Sequence, residues 1–416
     1  MGSPPVSIES PALLSPPTLR PEVKPRTTMR LVLLTHPPTF GVTSISRFAE
    51  MIARGMSQRG YEVETWTSGQ KWGLVNVKSP VARKWLGYVD QFLLYPGQLE
   101  KRVSEQSDST VFVVADQALG MWVPYLARRP HVIHCHDFLA LQSAMGEFPE
   151  NPTGWTGRQY QRLIRKGFSH GNTFVSVSHK TRADLHRYLP RTPKISEVVY
   201  NGLNHPFRPV DFLKRMVLLK KSGVPVPELG FILHLSGNQW YKNPKGILAI
   251  YRAYVESTSK PFPLWMVGAE PTEELRKIAA AIPAPGRVQF VNGLSNEQVN
   301  AAYSHARVLL FPSIGEGFGW PIIEAMASAC PVITTDAPPM SEIAGDHAHL
   351  IPRMPSDLAG QTAWAKEAAA VLDHVVNLNG TARADLLREG ALNAARFDAE
   401  LALDAYEEIY ARALTA

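Results

Sequence analysis

The sequence predicts an α/β protein built from two doubly wound domains. Three observations carry this. The chain has 416 residues, enough for two separate cores. Short apolar runs alternate with segments of helical spacing in both halves, the pattern of parallel sheets covered by helices. A turn signal at Asn201-Gly202, then Pro206-Phe207-Arg208-Pro209, marks a stiffened joint near the middle. We read residues 1–28 as a Pro- and Ser-rich disordered tail, 29–207 as an N-terminal domain and 208–397 as a C-terminal domain.

Taken in order, residues 30–36 read as the first strand and 37–44 as a loop containing Gly41. The spacing of Phe48, Ile52 and Met56 predicts a helix over 45–59, ended by Gly60, with a second strand over 61–67. Residues 71–102 mix Trp72, Trp85, Tyr88, Phe92 and Tyr95 with six lysines and arginines. They read as a partly buried helix and loop with solvated charges or, more sharply, as a surface for an anionic acceptor or membrane. Strands follow at 110–115 and 131–135, separated by an expected helix over 118–128, and then another at 173–177.

His134-Cys135-His136-Asp137 contains metal-ligand residue types. Alternation along a strand splits Cys135 from the two histidines, and no second cluster lies nearby, so no metal site is expected.

In the second half, strands are expected at 231–236, 264–267, 288–290 and 308–311. Helices are expected at 247–254, 272–281 and 296–304. After the first of these strands comes Gly237-Asn238-Gln239-Trp240-Tyr241-Lys242-Asn243-Pro244-Lys245. A basic side chain between a strand and a helix can grip a diphosphate, and Lys242 and Lys245 both stand there. Phe397, Leu401, Tyr406, Ile409 and Tyr410 predict a closing amphipathic helix over about 398–416.

The chain is organised around Gly315-Glu316-Gly317-Phe318-Gly319-Trp320-Pro321, continuing to Glu324 and Met326. Apolar strands flank it at 308–311 and 331–335, and Pro321 suits a first helical turn. The glycines let backbone approach a ligand, helix-start amides suit phosphate, and two carboxylates suit sugar hydroxyls. Glu324 is expected in the first turn, bordering the same crevice as Glu316. The sum fits a nucleotide diphosphate sugar.

This stretch, with Ser328 to Thr335 and Ser341 to Asp346 after it, resembles the Glu-x7-Glu motif of family-4 glycosyltransferases, retaining enzymes of GT-B fold. The resemblance implies two facing Rossmann-like domains with an interdomain cleft, and a last helix that crosses back onto the first domain. It implies that Glu324 takes the ribose diol and Glu316 hydroxyls of the transferred sugar. His136 would line the sugar pocket. Gly41 would lie under the diphosphate, Asn238 stands where relatives carry an arginine, and Lys242 or Lys245, with amides over Gly317, Phe318 and Gly319, would neutralise the leaving group. It also implies retention of anomeric configuration.

The function expected is hexosyl transfer from a UDP- or GDP-sugar to a hydroxyl acceptor. A GT-B epimerase and a non-catalytic sugar-nucleotide binder stay open beside it. No cofactor beyond the co-substrate is expected, and no metal, since the sequence contains no Asp-x-Asp pair. A net charge of +6 and a pI near 9.2 favour anionic partners. There is no nucleic-acid motif and no apolar run near the roughly 20 residues of a membrane span. Two distant cysteines argue for a cytoplasmic setting, with peripheral contact at the inner membrane surface as an option.

Overall fold

The computed structural model describes residues 29–37, 43–68 and 94–416. Gly41 and most of the basic–aromatic stretch 71–102 lie outside them. Among the described residues are two six-stranded, fully parallel sheets.

The first sheet holds β1 (Arg30–Leu34), β2 (Glu62–Trp66), β3 (Thr110–Val114), β4 (His131–Cys135), β5 (Thr173–Ser176) and β6 (Ile195–Val198), in the order β2-β1-β3-β4-β5-β6. Its helices are α1 (Thr43–Gln58), α2 (Tyr95–Ser104), α3 (Leu139–Ala144), α4 (Trp155–Phe168) and α5 (His179–Tyr188). Strand alternation sorts the core. Val32, Leu34, Phe112, Val114 and Ile133 face α2, α4 and α5, whereas Leu31, Leu33, Val111, Val113 and Val132 face α1.

The second sheet holds β7 (Ile232–Ser236), β8 (Leu264–Gly268), β9 (Val288–Val291), β10 (Val308–Phe311), β11 (Val332–Thr335) and β12 (His349–Ile351), in the order β12-β11-β10-β7-β8-β9. This is the doubly wound order whose direction reverses between β7 and β10. Its helices are α6 (Phe212–Lys220), α7 (Pro244–Ser257), α8 (Glu273–Ala280), α9 (Asn296–His305), α10 (Trp320–Ala327), α11 (Met340–Ala344), α12 (Leu358–Asn377) and α13 (Gly380–Ala394).

The last helix, α14 (Ala399–Thr415), packs on the first domain. Tyr406, Ile409 and Tyr410 join the cluster of Phe48 and Leu31, and the Tyr410 hydroxyl meets His134 Nε2 at 2.8 Å. The chain crosses between domains where Gly202 abuts Ala399. A Cβ at Gly202 would lie 2.3 Å from the Ala399 Cα, so only glycine fits.

Two local expectations need correction. Residues 117–125 form a 3₁₀ segment, not the α-helix expected over 118–128. Pro124 lies within it, and Gly120 packs backbone-to-backbone on Gly167 of α4, which dictates its path. Glu324 is the fifth residue of α10 and so falls in its second turn, because the helix begins at Trp320 behind a left-handed Gly319 with φ +110°.

Candidate active site

The carboxyl ends of both sheets point into one crevice, the place where doubly wound sheets bind ligands. On the C-terminal side, β7 leads through residues 237–243 and β10 leads into the 315–319 loop. On the N-terminal side, β1, β3 and β4 lead to His36, Asp116 and the His136-Asp137 pair.

Contact across the crevice is direct. A Cβ on Gly317 would sit 1.6 Å from the His136 carbonyl oxygen, so no side chain is tolerated there. The Gly317 carbonyl accepts from Ser178 Oγ at 2.8 Å and from Thr181 Oγ1 at 3.1 Å. Glu342 adds a second tie. Its carboxylate accepts from the His179 and Lys180 amides, at 2.7 and 3.2 Å, capping the start of α5 from the other domain. Trp320 adds a third, its Nε1 donating to the Gly202 carbonyl at 3.3 Å.

Lys242 and Glu316 form the centre. Lys242 Nζ lies 2.8 and 2.9 Å from the two oxygens of Glu316, both side chains being mostly shielded from solvent. Asn243 sets the loop that presents Lys242. It takes a left-handed conformation at φ 58°, accepts from the Gly246 amide to cap α7, and donates to the Pro312 carbonyl at 3.0 Å. Glu324 is buried, and its Oε2 accepts from the Tyr303 hydroxyl at 3.0 Å. Burial pushes its carboxyl up to about 7, with the Tyr303 bond and the charges of Arg47 and Lys242 pulling the other way. Phe318 turns its ring into the core against Phe397 and Tyr200, so its part in the loop is a backbone one.

Asn238 and Lys245 stand apart from this centre. Both line a separate cavity of about 480 Å³ with Trp240 and Trp364. Lys245 is exposed and pairs with the exposed Glu274 at 2.6 Å, and Asn238 Nδ2 donates to the Glu270 carbonyl.

His136 is buried. Its Nε2 lies 2.8 Å from the Ala115 carbonyl, which fixes the proton on that nitrogen, and burial holds the ring below the usual histidine range.

The sequence reading missed two groups. Asp137 is partly buried, with Oδ1 accepting from the Leu139 amide at 3.0 Å. Burial first, then the charges of Asp116 and Glu316, push it up to about 6. His36 Nε2 pairs with Asp116 Oδ2 at 2.9 Å. Burial alone would raise Asp116, but the His36 bond and charge, the His136 charge and the Ala118 amide together outweigh it and hold the carboxylate below its ordinary value. Asp137 adjoins His136 in a motif already singled out. The His36–Asp116 pair had no local signal, being 80 positions apart. Asp116, His136, Asp137 and Tyr241 line a cavity of about 210 Å³ between the domains. Among the described residues, no group of three His, Cys, Asp or Glu could hold a metal ion.

Two parallel, doubly wound sheets whose carboxyl ends meet at one crevice give the chain the GT-B architecture. Residues 45–206 match the Glycosyltransferase Family 4 model and residues 230–367 the Glycosyl transferases group 1 model, so each half is a glycosyltransferase domain. A segment of 119 residues is 29% identical to O-antigen chain mannosyltransferase B of Escherichia coli, covering 28% of this chain and 31% of that protein. The chain thus aligns with about a third of that relative. Two solved structures share the fold. WaaG, a glycosyltransferase involved in lipopolysaccharide biosynthesis, aligns with TM-score 0.65 at 17% identity over 90% of this chain and 99% of its own. Anabaena HepE, in complex with UDP and glucose, aligns with TM-score 0.64 at 16% identity over 92% and 100%.

Proposed function

We propose that the protein transfers a hexose-type sugar from a UDP- or GDP-sugar to a hydroxyl acceptor, with retention of configuration and without a divalent metal. The observation that carries this is the shielded Lys242–Glu316 pair beside Glu324 at the switch point of the donor domain. The mannosyltransferase relative supports mannose as the first sugar to try, and the UDP and glucose held by HepE support a nucleotide-sugar donor.

In this reading Glu324 accepts hydrogen bonds from the ribose diol. Lys242, released in part from Glu316, stabilises the departing diphosphate, and Glu316 takes hydroxyls of the sugar. The acceptor oxygen bonds to the anomeric carbon as the carbon–phosphate oxygen bond breaks. The acceptor proton passes to the departing phosphate oxygen on the same face. The remaining task of the protein is to position the two partners.

Incubation with a panel of nucleotide sugars and simple acceptors tests this by release of free nucleotide, with EDTA present and absent. No release from any donor argues for a non-catalytic binder, and loss with EDTA refutes the metal-free reading. A second stereochemical reading rests on one observation, the His36–Asp116 pair on the acceptor side, the place of a general base for inversion. NMR of the first product formed from an α-linked donor separates the two: an α-linkage supports retention and a β-linkage inversion.

A further inference from the structure

Helix α4 (Trp155–Phe168) shows water an unusual face. Trp155 is 71% exposed at its first turn and Leu163 is 44% exposed two turns on. At 100° per residue, Arg158, Arg162 and Lys166 fall on the same side as these two apolar groups, and all three are exposed. The helix contains four basic residues and no acidic one. Arg158 and Lys166 form no ion pair among the described residues, and Arg162 meets only the neutral Gln159, at 3.3 Å. An ordinary surface helix puts its charges outward and its large apolar groups inward. Here an indole and a leucine stand outward among guanidinium and ammonium groups.

The inner face of the same helix reaches the crevice. Gln161, Ile164 and Phe168 line the 210 Å³ cavity shared with His136, Asp137 and Tyr241. A surface that docks on the outer face of α4 therefore lies one helix thickness from the acceptor side of the candidate site.

We propose that the outer face of α4 docks on a bilayer containing anionic lipid. Trp155 and Leu163 would enter the headgroup boundary, and Arg158, Arg162 and Lys166 would pair with lipid phosphates. Long basic side chains lie along an apolar surface while holding charge in the polar layer, and tryptophan favours that boundary because one edge is polar. Charge complementarity commits the face to an anionic lipid surface over a second copy of this chain, which would set the basic faces of two α4 helices against each other. The docking itself is independent of the reading above; only the corollary, an acceptor presented at a membrane, rests on it.

The test is co-sedimentation of the full chain with vesicles of phosphatidylcholine alone and with about 30% phosphatidylglycerol, a mixture chosen to give an anionic surface. Binding to the anionic vesicles alone, weakening as salt rises, is expected. The variant Arg158→Gln/Arg162→Gln/Lys166→Gln should lower the partition coefficient at least about tenfold, given the contribution of each basic residue near such a surface. Trp155→Ala/Leu163→Ala should lower it at high salt as well, where the electrostatic part is screened. Both sets are exposed, and unchanged thermal melts confirm that the fold is kept. Failure of the unmodified chain to sediment at low salt overturns the proposal. So does full binding by the α4 variants together with loss in Arg83→Gln/Lys84→Gln, which would move the contact to the 71–102 stretch. Preferential binding to a single-stranded RNA probe over vesicles overturns it in favour of nucleic acid. Release of nucleotide with a soluble acceptor should be unchanged in the α4 variants, so vesicle binding and transferase activity can fail separately.

Discussion

Lys242 holds both oxygens of Glu316, at 2.8 and 2.9 Å, across 74 residues of chain. A lysine with most of its surface shielded needs such a partner. The pair therefore stores positive charge at the crevice in a form that a diphosphate can compete for.

Replacement of the two lysines should separate them. Lys242→Met should lower kcat/KM by about 10²-fold or more, the scale for losing one group that stabilises transition-state charge. Lys245→Met should stay within about threefold, because an exposed pair such as Lys245–Glu274 contributes little. Steady-state kinetics with a saturating acceptor checks this, and equal losses in the two variants would place the diphosphate elsewhere.

The two glutamates should also fail in different ways. Glu316→Gln frees Lys242, so nucleotide affinity should hold or rise while turnover falls. Glu324→Gln should weaken the nucleotide itself by roughly 1.5–3 kcal/mol per hydrogen bond lost to a charged acceptor. Because Glu324 titrates near 7, its share of nucleotide affinity should grow as pH rises from 6 to 8. Calorimetry on wild type and Glu324→Gln isolates that share from titration of the nucleotide phosphates. A parallel pH dependence in both proteins would remove Glu324 from the site.

Asp137 should cost stability at neutral and alkaline pH. Its carboxyl is raised to about 6 in the folded protein against roughly 3.9 in an unfolded chain. The folded state thus holds the proton more tightly, and stability from this group is greatest at acid pH. It falls as pH climbs through that window and stays low above it. Asp137→Asn should be more stable than wild type at pH 8 by up to about 3 kcal/mol, converging with it near pH 4. Urea melts at both pH values read this out. Equal stability at pH 8 would mean that the charged form has a better partner than the structure shows.

Glu342→Ala should loosen the two domains. The carboxylate caps two amides of α5 from the opposite domain, a tie worth roughly 1–2 kcal/mol as a helix cap. A larger radius of gyration in small-angle scattering without ligand, and weaker donor affinity, are the expected signs. A native radius with native affinity would show that Gly317 and Trp320 hold the closure alone.

What the sequence determined by itself was local. Apolar runs of four or five residues separated by helical spacing specify parallel strands and crossover helices, since both follow from period and length alone. The glycine loop around Glu316, Pro321 in the first turn of α10 and the Asn201-Gly202 exit are local too, because each depends on the allowed backbone of a few neighbours. One departure, the 3₁₀ path of 117–125, came from a partner far along the chain, Gly167. Tertiary structure alone decided the pairings. Lys242 and Lys245 are three positions apart with the same chemistry, and only the left-handed Asn243 between them sends one to Glu316 and the other to solvent. His36 meets Asp116 because β1 and β3 lie side by side in register in one sheet, and Asp137 comes under the charges of Glu316 and Lys242 because the carboxyl ends of the two sheets converge. Charge and hydrogen bonding act through space, and a one-dimensional pattern carries distance along the chain but not across a crevice.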